Sequence, residues 1–192
     1  MTGTIMETDL QKCLEVLKNG GTILYPTDTI WGIGCDATNN KAVDKIYRMK
    51  KRMESKSLII LVEDEERLKQ YTGTIPGIAW DLIRSVDTPL TIIYPKARNL
   101  AKSVIAEDGS IAIRIVKNEF CVQLIRRLDK PIVSTSANIS GQTPPLMFKQ
   151  ISSEIKKEVD YVVTLYQDIL REVKPSTIIR LMETGEFEII RK

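Results

Sequence analysis

The sequence predicts an α/β fold: a twisted, mixed, open sheet with helices packed on it. Three observations lead there. Segments with apolar residues at helical spacing alternate with short β-rich runs. The stretch 58–62 is apolar throughout, as in a strand buried on both faces. And 43% of the 192 residues are hydrophobic, enough for one sizeable core, with no Gly/Ser-rich or Pro-rich linker to divide them. A single domain over residues 1–192 is expected.

The elements follow in order. Residues 6–19 read as a helix, because Met6, Leu10, Cys13, Leu14 and Leu17 share one face and Asn19-Gly20-Gly21 ends it. Thr22 to Tyr25 is a short strand stopped by Pro26. Residues 40–51 are helical by the spacing of Ala42, Val43, Ile46, Tyr47 and Met49. After the strand at 58–62 come helical patterns at 64–71 and 76–86, then strands at 90–94 and 111–115. A helix at 118–128, a strand at 131–134 and a helix at 147–157 follow, with short strands near 160–164, 177–181 and 187–190. No internal repeat is visible.

Composition excludes several chemistries. The chain has no histidine, so Ser-His-Asp and Cys-His catalysis and His-ligated zinc are out. Its three cysteines, Cys13, Cys35 and Cys121, are scattered and form no C-x-x-C pair. Unpaired thiols fit a reducing cytoplasm. The N-terminus lacks a basic start and an apolar run. No stretch approaches the roughly 20 apolar residues of a membrane helix. A soluble cytoplasmic protein without membrane contact is expected. The net charge of +3 is too mild for wholesale nucleic-acid coating, so any basic function must be local.

Three segments carry chemical potential. In Tyr25 to Asp36 a strand runs into a proline, two hydroxyls, a carboxylate and the glycines Gly32 and Gly34. A tight turn with polar caps is the simpler reading, and close backbone approach to a ligand is the other. The G-x-G-x-x-A echo over Gly32 to Ala37 lacks the flanking strands of a dinucleotide fingerprint. The second segment is a basic cluster of Lys45, Arg48, Lys50, Lys51, Arg52 and Lys56 at a helix end. It serves equally as a solvated helix terminus or as an anion site. Lys50 and Arg52 converge on one anion only if the chain leaves the helix there. The third is Ser134-Thr135-Ser136-Ala137-Asn138-Ile139-Ser140-Gly141, a burst of small hydrogen-bonding groups at the end of a buried strand. Ligands favour that place in open α/β sheets, although a polar loop explains it too. Arg114 ends an apolar strand and needs a carboxylate partner, from the protein or from a ligand. Lys174 to Thr177 reads as a turn or as part of a site.

Taken together and in this order, the segments resemble the YrdC-type threonylcarbamoyl-AMP synthase family. The resemblance rests on YPTDTIWGIGCDA at 25–37, K-x-R at Lys50 to Arg52 with Lys56-Ser57-Leu58 beyond it, TPLTIIYP at 88–95, IAIR at 111–114, STSANISG at 134–141 and PSTII at 175–179. It covers nearly the whole chain, and S-x-N together with K-x-R is its specific part.

The resemblance implies a sheet with a concave, basic cleft. It also implies an enzyme that condenses L-threonine, bicarbonate and ATP into threonylcarbamoyl-adenylate, releasing pyrophosphate. A separate transferase complex would then pass the group to tRNA. ATP contacts are implied for Lys50, Arg52, Lys56, Ser136, Asn138 and Arg191, with the adenine near Ala112. Thr29, Arg114, Ser136 and Ser176 match the threonine and carbamate pocket. No resident metal is implied, only Mg²⁺ carried with ATP. Met53, Val116, Asp28 and Leu61 depart from residues common at their positions in the family. The chain also ends at Lys192, where longer members continue into another domain. The competing expectation is a non-catalytic module of the same fold that binds RNA directly and weakly. A third is a carbamoyl-transferring relative, which usually sits inside a larger protein.

Overall fold

Nearly every run of period 3.6 or 2 becomes an element of the structure, a computed structural model that describes residues 2–51, 58–168, 175–182 and 184–192. The helices are α1 (Thr2–Lys18), α2 (Asn40–Met49), α3 (Glu65–Leu68), α4 (Gly77–Ser85), α5 (Glu119–Leu128) and α6 (Ser153–Glu158). The strands are β1 (Ile23–Tyr25), β2 (Gly32–Gly34), β3 (Ile59–Val62), β4 (Leu90–Tyr94), β5 (Ile111–Ile115), β6 (Ile132–Ser136), β7 (Tyr161–Val162), β8 (Thr177–Leu181) and β9 (Phe187–Arg191). Single 3₁₀ turns occur at Lys102–Val104 and Phe148–Gln150.

The nine strands form one sheet in the order β7-β1-β2-β6-β3-β5-β4-β8-β9. The pairs β1/β7, β3/β5 and β4/β8 are parallel and the others antiparallel, so the sheet is mixed as expected. Its central strands are apolar because both faces are covered: Ile60, Leu61 and Val62 are all buried. Local signals set the helix ends. The Asn39 side chain accepts from the Ala42 amide at 3.2 Å, and that of Asn118 from the Cys121 amide at 3.1 Å. Helix α5 stops where Asp129 turns left-handed, with φ 58°. It packs on α1, and Arg127 grips Glu7 with two bonds of 2.7 and 2.9 Å.

The carboxylate of Asp9, fully buried on α1, is satisfied from the far end of the chain. It accepts from the Tyr161 hydroxyl at 2.6 Å, the Thr164 hydroxyl at 2.9 Å and the Leu165 amide at 2.8 Å. A buried anion needs such partners to be tolerated. All three cysteines are free and buried, and burial pushes each thiol well up, which makes them inert.

The structure corrects the sequence reading in four places. The glycines at 32 and 34 do not make a turn but the strand β2, wedged between β1 and β6. A Cβ on Gly34 would sit 2.6 Å from both the Tyr25 ring and the Val133 carbonyl oxygen, so only glycine fits. The strand expected at 131–134 runs on to Ser136, which puts its hydroxyls on the sheet. The helix expected at 147–157 breaks, because the Ser152 side chain caps a new start by accepting from the Ile155 amide at 3.3 Å. The pattern at 64–71 yields one helical turn, capped by Asp64 on the Arg67 amide at 2.8 Å.

Candidate active site

The pleat of the sheet divides side chains between two faces. On one face Ala112 and Arg114 of β5, Ile93 of β4 and Ile178 of β8 line a cavity of about 270 Å³. On the other face, Ile92 and Tyr94 of β4 and Ile113 and Ile115 of β5 line a different cavity. Ser134 and Ser136 reach the first cavity from β6, and Gly32 from β2.

The loop after β1 closes one side of the cavity, and it is tied by its own hydroxyls. The Thr29 amide donates to the Thr27 hydroxyl at 3.0 Å, the two hydroxyls lie 3.0 Å apart, and Thr27 donates to the Ile30 carbonyl at 2.7 Å. These bonds hold Thr29 at the cavity with only 6% exposure. Trp31 lines the same side, its ring 4.9 Å from that of Phe148.

Two guanidinium groups meet in this cavity. Arg114 is 4% exposed, and its Nη2 lies 3.1 Å from Oδ1 of Asp28. Its Nε is buried without a hydrogen-bond partner. Arg191 donates to the Ser176 carbonyl at 2.8 and 3.1 Å. Desolvation, and then the like charge of Arg114, hold Arg191 below the usual arginine range. Ser176 is itself fixed by the Thr91 hydroxyl at 2.8 Å. No carboxylate lines the cavity among the described residues.

Thr29, Ala112, Arg114, Ser136, Ser176 and Arg191 therefore line one cavity, as a shared site requires. Lys50 and Asn138 do not line it. Helix α2 ends at Met49 and Lys51 takes φ 49°, so the chain does leave the helix at the basic cluster. Lys50 is 1% exposed, and its ammonium donates to the Ser136 carbonyl and, at 2.6 Å, to the Asn138 carbonyl. The Asn138 amide donates to the Ile139 and Gln142 carbonyls at 3.0 and 2.7 Å. Lys50 and Asn138 thus shape the turn after β6 from behind Ser136. Arg52 and Lys56 lie outside the described residues. Among the described residues no cluster of carboxylates and thiols forms that could hold a metal ion, and no helix is long and apolar enough to cross a membrane.

The Sua5/YciO/YrdC family model, described as telomere recombination, matches residues 15–192. The chain belongs to this family. It is 30% identical over 175 residues to the threonylcarbamoyl-AMP synthase of Pseudoalteromonas translucida (strain TAC 125), covering 90% of this chain and 92% of that one. It is 33% identical over 155 residues to the protein of the same name from Psychromonas ingrahamii (strain DSM 17664 / CCUG 51855 / 37), covering 79% and 81%. The crystal structure of P. abyssi Sua5 complexed with L-threonine superposes with a TM-score of 0.83 at 26% identity. The match covers 91% of this chain and 51% of the Sua5 chain, so the present chain spans about half of that protein.

Within the Sua5/YciO/YrdC frame, sequence reasoning missed Trp31 and the role of Asp28. A tryptophan inside a run of hydroxyls and glycines was a signal that the segment wraps something. The unmet charge of Arg114 was a signal that a nearby acid must serve it, and Asp28 does.

Proposed function

We propose that the chain is a threonylcarbamoyl-AMP synthase: it joins L-threonine, bicarbonate and ATP into threonylcarbamoyl-adenylate and releases pyrophosphate, the first step toward threonylcarbamoyladenosine in tRNA. The observation that carries this reading is the pair Arg114 and Arg191 in one cavity ringed by hydroxyls. Two guanidinium groups in one cavity that no carboxylate of the described residues lines call for an anionic ligand. The substrates supply a carboxylate, a carbamate and a triphosphate.

The chemistry matches what is available. Threonine's amine condenses with bicarbonate, losing water, to give a carbamate, whose oxygen attacks the α-phosphorus of ATP as pyrophosphate leaves. Such a transfer depends on positioning and charge neutralisation, not on a covalent nucleophile. In this reading Arg114 takes the threonine carboxylate, and Thr29 and Ser176 contribute hydroxyls beside the amino acid. Ser136 bridges toward the α-phosphate, and Ala112 leaves room for the adenine. Arg191, with Arg52 and Lys56, meets the developing charge on pyrophosphate. Lys50 and Asn138 act on the nucleotide by holding the turn that presents Ser136. Mg²⁺ arrives as part of the ATP substrate, held by phosphate and water, in keeping with a cavity lined by hydroxyls and cations. A cytoplasmic location gives access to ATP and to a tRNA-modifying transferase complex.

The competing RNA-binding module gains no support from a cavity walled by buried hydroxyls, since backbone binding needs exposed cations. The test mixes protein, ATP, Mg²⁺, threonine and ¹⁴C-bicarbonate and separates the products by chromatography. A labelled adenylate that depends on threonine is expected. Absence of that product, with tight and salt-dependent RNA binding, would install the RNA module in its place.

A further inference from the structure

The second cavity, of about 260 Å³, nearly equals the first in size and lies back to back with it across β4 and β5. Its walls are largely apolar, with Leu68 from α3, Ile92 from β4 and Ile115 from β5. Tyr94 belongs to the wall too. Its side chain is 1% exposed and its hydroxyl has no hydrogen-bond partner. Asp28, Asp87, Thr88 and Lys117 contribute polar groups, and of the two carboxylates Asp28 is the one paired with Arg114; its Oδ2 accepts from the Lys117 amide at a long 3.5 Å.

Asp28 is the one link between the two faces that the described ion pairs provide. It lines the second cavity, while its other oxygen lies 3.1 Å from the Arg114 guanidinium, which lines the first. We propose that the second cavity binds a small, mostly apolar molecule bearing one hydrogen-bond donor, and that its occupancy tightens threonine binding in the first cavity through Asp28.

The size sets the ligand class. A dry cavity of roughly 150 Å³ accepts benzene, and drug-sized sites begin near about 300 Å³. This space therefore suits one bicyclic ring. The charge sets the direction. A donor on the ligand that bonds Asp28 draws its negative charge away from Arg114. The guanidinium is then less neutralised and attracts a carboxylate more strongly. This part rests on the reading that Arg114 receives threonine's carboxylate.

The probe is indole, whose ring fills such a space and whose N–H is a single donor. Titration into ¹⁵N-labelled protein should shift the Ile115 and Lys117 amide resonances. The cavity-filling variants Ile115→Phe and Leu90→Phe should each abolish those shifts at Lys117. Two variants are used so that one folding failure does not decide the matter. Calorimetry should give a threonine Kd about fivefold lower at saturating indole, a typical coupling. Threonine should lower the indole Kd by the same factor, and Asp28→Asn should bind indole without coupling. No shifts in the parent protein, or shifts that persist in folded filled variants, would overturn the site. An unchanged threonine Kd at saturating indole would overturn the coupling. If threonine fails to bind at all, the proposed function falls instead, and the indole titration alone decides the cavity.

Discussion

Arg114 and Asp28 form a pair whose partners are 4% and 13% exposed, with N and O 3.1 Å apart. At an effective dielectric of 20 two unit charges at that distance attract by about 5 kcal/mol before desolvation is counted. Removing one partner leaves the other charge buried alone, which costs about 3–5 kcal/mol. Arg114→Met is therefore expected to destabilise the fold by about 3 kcal/mol. Adding Asp28→Leu should return much of it, because an apolar pair of similar volume is often as stable as a buried ion pair. Function should not follow stability. On the proposed function, losing Arg114's charge-assisted contact to the threonine carboxylate costs about 1.5–3 kcal/mol, or roughly tenfold to a hundredfold in affinity. That loss should persist in the double variant. Urea unfolding measures the first quantity and threonine calorimetry the second. A double variant that unfolds as early as the two single losses added together would show that the charges are not coupled. A stable double variant that binds threonine like the parent would remove Arg114 from the substrate site.

Three further outcomes are expected. Gly34→Ala should cost about 1–3 kcal/mol, at the upper end because the added methyl meets a backbone oxygen as well as the Tyr25 ring, and urea unfolding tests it. Valine, lacking threonine's hydroxyl, should stimulate pyrophosphate release at least about a hundredfold less, since it leaves buried polar groups unpaired; equal stimulation by the two amino acids would end the threonine assignment. Asp108 is held down to about 2 from 3.8, first by the Ser110 hydroxyl and then by Arg180. Its carboxylate therefore contributes stability that is fully present above about pH 4 and lost as the pH falls through about 2. The stability gap between the parent and Asp108→Asn should close over that window, and a gap unchanged at pH 2 would contradict the linkage. With 52% of the Asp108 side chain exposed, the gap should be small.

The parts of the fold legible in the sequence are those in which burial follows a period. Helix α5 shows Phe120, Cys121, Leu124, Ile125 and Leu128 on its buried face, and β3 is a plain apolar run. Strand β2 was not legible, because Gly-Ile-Gly carries no alternation and its place is set by Tyr25 and Val133 from other strands. The break after Gln150 was hidden for a different reason: a side-chain cap at Ser152 outweighed an otherwise continuous helical pattern. At the site, the order of motifs pointed to residues that the sheet then gathers, from Thr29 near the start to Arg191 at the end. Which of them face the cavity was not legible. Lys50 sits in a cluster that reads equally as a solvated helix end or an anion site, yet it is buried and its ammonium is bound to carbonyls. A sequence shows that a lysine is present but not that carbonyls 86 and 88 residues away will surround it.

That tie between Lys50 and the turn after β6 has a consequence for how the protein assembles. Its bonds reach from the end of one helix to a turn formed much later in the chain. Closing a loop of that length costs entropy before any local contact repays it. The turn is held in its observed shape only where the end of α2 and the end of β6 lie side by side. Ser136, whose carbonyl accepts from Lys50, therefore owes its position to both ends of that loop. A change that loosens α2 is expected to be felt at Ser136, 86 residues beyond Lys50 in the chain, even where the sheet itself stays intact.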